Sequence, residues 1–237
     1  MNIAVIFAGG AGRRMHSAGL PKQFLEFRGK PIIIYTLELF ETHPEIDAIV
    51  VASIADRIDL LNGYIKRFGL QKVKAVVPGG ETGQDSITNA LTAAAEIAPE
   101  GSIVLIHDGV RPLINHDIIS ENIAAVKRYG NCITCVPATE TVIVRDERKM
   151  EIPPRKDCMI ARAPQSFRLG EILEMERRAM AEGRHDFIDC CSLMHHYGVE
   201  LHAVEGSDEN IKITTPTDFF IFKTLIDIRE NKQIFGL

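Results

Sequence analysis

The stretch Asn2-Ile3-Ala4-Val5-Ile6-Phe7-Ala8-Gly9-Gly10-Ala11-Gly12-Arg13-Arg14-Met15 decides how this chain is read. Its first half is a continuous apolar run, as expected of a strand buried on both faces in a parallel sheet. Gly9, Gly10 and Gly12 follow at once. Glycines let a backbone turn sharply and let an anion approach the peptide N–H groups. Arg13, Arg14 and the nearby Lys22 add fixed positive charge. A buried strand opening into a cationic, glycine-rich loop is a candidate polyphosphate site.

The same alternation continues outward. Helical patterns cover Pro31–Phe40, Ala55–Phe68, a stretch from Asp85 or Ser86 to Ile97, and one from His116 or Asp117 to Tyr129. Between them lie strand-like runs at Ile46–Ala52, Val73–Val77, Ser102–Ile106 and Cys132–Val136. This predicts an α/β fold: a Rossmann-like, mostly parallel sheet with helices on both faces. Loops 9–15, 78–86 and 107–112 each follow a strand, so they share the carboxyl edge where such sheets bind ligands. Beyond Val136 the pattern breaks. Thr139–Ile152 reads as a protruding β-hairpin arm turning at Asp146-Glu147, too small to fold alone. A strand at Cys158–Ala161, helices at Leu169–Ala181 and near Ile188–His196, and a strand at Glu200–Val204 follow. Lys212 is read within an Ile-Lys-Ile strand. A last helix starts at Pro216, with Thr214 or Thr215 as its cap. With no repeat or linker evident, residues 1–237 read as a single domain, with 137–160 as an embedded arm.

Composition narrows the function. The net charge of −5 argues against a nucleic-acid partner, which calls for a basic face. No apolar run approaches a membrane span, and no signal-peptide pattern precedes the glycines, so a cytoplasmic protein is expected. Cys132-Ile-Thr-Cys135 has the spacing of a redox or zinc pair but sits in an apolar run, which favours buried, reduced thiols.

Two common phosphate loops are ruled out. A P-loop needs G-x-x-x-x-G-K-[ST], and no Lys-Ser/Thr follows these glycines. A dinucleotide fingerprint needs a third small residue, where this chain has Met15. The glycine loop with Pro21-Lys22-Gln23 resembles instead the signature of nucleotidyltransferases that activate sugar phosphates. Gly79-Gly80 with Ser86, His107-Asp108 with Arg111-Pro112, Ala163-Pro164-Gln165-Ser166-Phe167 and Asn210-Ile211-Lys212-Ile213-Thr214 extend the likeness. Together, in this order, they resemble the cytidylyltransferases of small polyol phosphates, and the likeness spans nearly the whole chain.

That resemblance implies transfer of CMP from CTP to a polyol phosphate, with Mg2+ or another divalent cation. It implies that the amides of Gly10, Ala11 and Gly12 cradle the β- and γ-phosphates. By the same resemblance Arg14, Lys22 and Lys212 would act on the triphosphate, the two lysines on opposite sides of the α-phosphate. Ala8, Gly9, Gly80 and Ser86 would form the cytosine pocket. Asp108 would bind the polyol hydroxyls or the metal, while Arg111, Thr141 and Arg155 would address the polyol phosphate. In that family the arm crosses to a second subunit, which implies a homodimer in which Thr141 and Arg155 serve the neighbour's site. Arg111 could instead cap a helix or pair with an acid, and Asp108 could be a helix-entry residue. The chain departs from the family at Gly83 (usually arginine), Ala163 (usually threonine or another polar residue), Ile188 (often threonine) and Gly109 (usually alanine or serine). Strings such as Arg128-Tyr-Gly and Ile213-Thr-Thr-Pro lean toward D-ribitol 5-phosphate, with 2-C-methyl-D-erythritol 4-phosphate as the alternative. A non-catalytic nucleotide-binding module is the reading from another class.

Overall fold

The computed structural model describes residues 1–10, 20–145 and 149–235, with side chains through 231. Strand β1 (Asn2–Ala8) leads to two short antiparallel strands, β2 (Glu26–Phe27) and β3 (Lys30–Pro31), then helix α1 (Ile32–Glu41). Next come β4 (Ala48–Ser53), α2 (Ile58–Arg67), β5 (Val73–Pro78), α3 (Gly83–Ile97), β6 (Ile103–Asp108), α4 (His116–Tyr129) and β7 (Asn131–Pro137). The arm holds β8 (Val144–Arg145) and β9 (Met150–Glu151). The chain returns through β10 (Met159–Arg168), α5 (Leu169–Ala181), α6 (Cys190–His196), β11 (Ala203–Glu205) and α7 (Pro216–Phe235).

Seven strands form one sheet in the order β11-β7-β10-β6-β1-β4-β5. β1 runs parallel to both β4 and β6, and among the described strands of this sheet only β10 is antiparallel to its neighbours. The sheet and its flanking helices are therefore the mostly parallel α/β architecture expected. The apolar run of β1 serves two cores. Ile3 and Val5 pack with α3, α5 and α6 on one face. Ala4, Ile6 and Ala8 pack with α1, α2 and α4 on the other. A third, smaller cluster joins Ile32, Val110, Leu113 and Ile213 to Phe222 of α7. It ties the last helix to the loop after β6.

Four local readings change. The strand read at Cys158–Ala161 is longer: it is β10, whose second half holds Ala163–Phe167, with a bulge between Ala161 and Gln165. Residues 211–213 are not a strand: the segment before α7 is irregular and held by an Ile213 N–H bond to the Val110 carbonyl. Helix α3 starts at Gly83, because Thr82 is its cap and Asp85 reaches back to the Thr82 N–H to complete a capping box. Pro31 caps α1 from outside, in extended conformation, and is not its first turn. The cap of α7 is as read: Thr215 accepts from the Asp218 N–H. The arm strands pair antiparallel, Val144 opposite Glu151 and Arg145 opposite Met150. The predicted turn, Asp146-Glu147, lies outside the described residues.

Cys132 and Cys135 lie on opposite faces of β7, one in each main core. A three-residue offset on a strand turns two side chains apart. Burial pushes the Cys132 thiol up to about 12, so it stays protonated. None of the five cysteines is in a disulfide.

Candidate active site

The chain runs from β1 out through β4 to β5, then crosses back to place β6 on the other side of β1. That reversal opens a crevice at the carboxyl ends of β1 and β6, the usual ligand position in such sheets. A cleft of about 630 Å3 occupies it, lined by Ala8–Gly10, Lys22 and Gln23 on one side and Gly80–Gly83 with Ser86 on another. Asp108, Val110, Lys212 and Thr214 close it.

Side-chain bonds to backbone build the wall of the cleft. Gln23, 1% exposed, donates through Nε2 to the carbonyls of Ala8 (2.6 Å) and Gly10 (3.3 Å), fixing the turn out of β1. The Ser86 hydroxyl accepts from the Gly80 N–H at 3.1 Å and donates to the Thr82 carbonyl at 2.9 Å. Its hydrogen-bonding capacity therefore goes largely into holding the glycine turn. A Cβ on Gly9 would sit 2.7 Å from that hydroxyl oxygen, and one on Gly80 2.2 Å from the Asp85 Cβ. Both positions therefore require glycine for packing. A Cβ on Gly83 meets nothing within 4 Å, so its departure from arginine is not steric. Asp85 and the His185 ring that bonds it at 2.8 Å brace the turn instead.

Opposite this wall is a buried charge cluster. Asp108 ends β6 and is 5% exposed. Its Oδ2 lies 2.7 Å from Arg111 Nε and its Oδ1 2.6 Å from Lys212 Nζ. Burial works to raise its pKa, but the charges and hydrogen bonds of Arg111 and Lys212 outweigh burial and bring it down to about 2. Asp108 is thus an anion at neutral pH. Its neighbour His107 is fully buried and held down to about 4 by desolvation, so it stays neutral. It contacts the Arg111 carbonyl and the Phe40 ring, which makes it a structural residue. Arg111 donates through Nη1 to the Asn210 carbonyl at 2.9 Å. Asn210, fully buried, donates in turn to the Ala163 carbonyl at 2.6 Å. These bonds place Lys212 over Asp108 although the two are far apart in sequence.

A second cavity of about 150 Å3 shares Phe7, Asp108 and Lys212 with the cleft and is walled by Arg111, Arg162, Gln165, Ile188 and Asp189. Ile188 is 92% exposed there and free to meet a ligand.

The structure brings Ala8, Gly9, Gly10, Lys22, Gly80, Ser86, Asp108 and Lys212 around one cleft, with Arg111 beside it. Ala11, Gly12 and Arg14 lie outside the described residues. Thr141 and Arg155 sit exposed on the arm and line neither cavity; Arg155 donates to the Thr139 carbonyl at 3.2 Å. The structural alternative for Arg111 is realised in part, since it pairs with a buried acid. Both Asp108 oxygens are engaged by cations. Among the described residues no group of three or more His, Cys, Asp or Glu side chains could hold a metal. The donor set here does not fit an ion held by the protein alone. Sequence reasoning passed over Arg162 and the positioning roles of Gln23 and Asn210, the latter quoted only as part of the segment that holds Lys212. Gln23 lay within the Pro-Lys-Gln signature, but nothing in the sequence marked Arg162.

An open α/β sheet with a glycine wall and two lysines at its switch point is the site of a nucleotidyltransferase. The chain matches the IspD family, described as 2-C-methyl-D-erythritol 4-phosphate cytidylyltransferase, over residues 2–227. It is 54% identical, over the full length of both chains, to a ribitol-5-phosphate cytidylyltransferase of Streptococcus agalactiae serotype Ia. It is 36% identical to a 2-C-methyl-D-erythritol 4-phosphate cytidylyltransferase of Clostridium botulinum, covering 95% of this chain and 97% of that one. The crystal structure of 4-diphosphocytidyl-2C-methyl-D-erythritol synthase from Anaerococcus prevotii superposes with a TM-score of 0.81 at 25% identity, covering 95% and 96% of the two chains. This protein belongs to the IspD cytidylyltransferase family.

Proposed function

We propose that this enzyme transfers CMP from CTP to D-ribitol 5-phosphate, releasing pyrophosphate and forming CDP-ribitol. The observation that carries the reading is the meeting of Lys22, Lys212 and the glycine wall on one cleft, in a chain 54% identical to a relative named for ribitol 5-phosphate. A phosphate-monoester oxygen attacks the α-phosphorus of CTP; the bond to the β-phosphate oxygen breaks and pyrophosphate leaves with that electron pair. The attacking phosphate is largely dianionic at neutral pH, its second pKa being about 6. No side-chain base is needed, and the neutral, buried His107 fits that. Catalysis is then a matter of joining two anions and stabilising charge at the α-phosphate.

Lys22 and Lys212 supply that charge from opposite sides, with Arg14 on the triphosphate. The amides of Gly10, Ala11 and Gly12 hold the β- and γ-phosphates. Ala8, Gly9, Gly80 and Ser86 frame the base. Asp108 orients Lys212 and meets the polyol hydroxyls. Arg111 serves the polyol phosphate, joined by Thr141 and Arg155 from a neighbouring subunit. The exposed apolar side chains of the arm, among them Ile143, Val144, Met150 and Ile152, support a homodimer through this element. The divalent cation, Mg2+ in this reading, belongs on the triphosphate oxygens as part of the nucleotide substrate. The chain works as one domain in the cytoplasm; no helix among the described residues is long and apolar enough to cross a membrane. Ile188 at the smaller cavity supports a second reading, 2-C-methyl-D-erythritol 4-phosphate, whose methyl branch it could contact.

The test is pyrophosphate release with CTP and Mg2+ against ribitol 5-phosphate, methylerythritol phosphate and glycerol phosphates. Turnover fastest with ribitol 5-phosphate is expected. Turnover only with another alcohol replaces the substrate, and none at all returns the chain to a nucleotide-binding module.

A further inference from the structure

The smaller cavity has a charge balance that the roles given so far do not use. Arg162, on β10, is 21% exposed at its side chain, and its Nε is buried with no hydrogen-bond partner among the described residues. Its Nη1 reaches the Asn210 carbonyl at 3.3 Å, the same oxygen that accepts from Arg111 at 2.9 Å. Two guanidinium groups thus converge on one carbonyl. Desolvation, then the charge of Arg111, pulls the Arg162 pKa down. Its nearest acid, Asp208, stands 3.9 Å away and is 80% exposed, a pairing that solvent screens.

The acids of this cavity are already engaged. Asp108 is divided between Arg111 and Lys212. Asp189 caps α6, accepting from the Ser192 N–H and hydroxyl through Oδ1 and from Gln165 through Oδ2. The Gln165 side-chain oxygen, Oε1, accepts from the Cys191 N–H. Arg111, Arg162 and Lys212 therefore face Asp108 and Asp189 with one positive charge in excess and a buried guanidinium N–H unspent. Burying a charged donor without a partner is costly, and an oxyanion is the ligand that fits planar guanidinium donors.

We propose that Arg162, together with Arg111, binds the phosphate of the acceptor substrate, delivering it from the smaller cavity to the side of Lys212 away from Lys22. This rests on the polyol-phosphate reading and adds to it a residue that sets acceptor affinity from within the same subunit. The nucleotide, held by the larger cleft, does not depend on it.

The test measures KM for polyol phosphate and for CTP separately in wild type, Arg162→Gln and Arg162→Lys, with thermal melting to show that each is folded. Arg162→Gln raises the polyol-phosphate KM tenfold or more, leaves the CTP KM within twofold, and Arg162→Lys recovers part of the loss. Unchanged acceptor KM in a folded Arg162→Gln overturns the assignment. An equal rise in both KM values also overturns it, because that marks a residue which merely supports the 207–214 segment. If wild type turns over no polyol phosphate, the functional reading fails and inorganic phosphate becomes the probe. With CTP saturating, 31P line broadening then weakens in Arg162→Gln, and equal broadening in the two proteins overturns the inference.

Discussion

Glu176, on α5, is 1% exposed and lies against α3, where its Oε2 accepts from Gln84 Nε2 at 3.1 Å and from the Thr88 hydroxyl at 3.3 Å. Burial pushes its pKa up from 4.5 to about 7, against the hydrogen bonds that favour the ionised form. A folded-state pKa above the unfolded value means that the native protein holds the proton more tightly. Its contribution is therefore complete below pH 4.5 and is lost as the pH rises through 7. The span of about 2.5 pH units, at 1.36 kcal/mol each, is roughly 3 kcal/mol. Glu176→Gln keeps the volume and the accepting oxygen but cannot ionise. It should exceed wild type in unfolding free energy by about 3 kcal/mol at pH 8 and only about 1 kcal/mol at pH 5. Urea unfolding followed by far-UV circular dichroism suits a chain without tryptophan. Because the comparison is variant against wild type at each pH and equal protein concentration, other titrating groups cancel. A difference that is the same at pH 5 and pH 8 would refute the reasoning, since a packing effect does not titrate. The consequence reaches the cleft, because Gln84 belongs to the first turn of α3, whose cap lines it.

If Lys212 acts on the α-phosphate as proposed, Lys212→Ala should lower kcat by about 100- to 1,000-fold; the melting temperature should barely move, since Lys212 is 40% exposed and Asp108 keeps Arg111. Undiminished pyrophosphate release would remove Lys212 from the mechanism. Asp108→Asn leaves Arg111 and Lys212 without their shared anion and should cost about 3–5 kcal/mol in urea unfolding at pH 7. That difference should narrow as the pH falls from 3.8 toward about 2, where the wild-type carboxylate itself takes a proton. Gly80→Ala drives a Cβ into Asp85; a loss of about 1–3 kcal/mol and a raised CTP KM are expected, and a neutral outcome would show that the turn relaxes freely.

The mostly parallel sheet was legible because β1, β4, β6 and β7 are buried on both faces and so lack a polar stripe, leaving long apolar runs between helical patterns. The glycine turns were legible because close approach to a backbone leaves no alternative residue, as the Gly9 and Gly80 contacts illustrate. The antiparallel course of β10 was not, since strand direction is set by its pairing with β6 and β7 and leaves no mark on Ala163–Phe167 itself. The same holds for the irregular 211–213 segment, whose Ile-Lys-Ile pattern fits a strand locally but whose bond goes to Val110. Thus the opening stretch determined by itself a strand buried on both faces that ends in a glycine loop at the edge of the cleft. Only the tertiary structure decided what faces that loop. It brought Lys212 onto Asp108 and set Arg162 beside Arg111 through the single carbonyl of Asn210. Those contacts join residues far apart in sequence, and their energies depend on a desolvation that exists only once the sheet has closed over them.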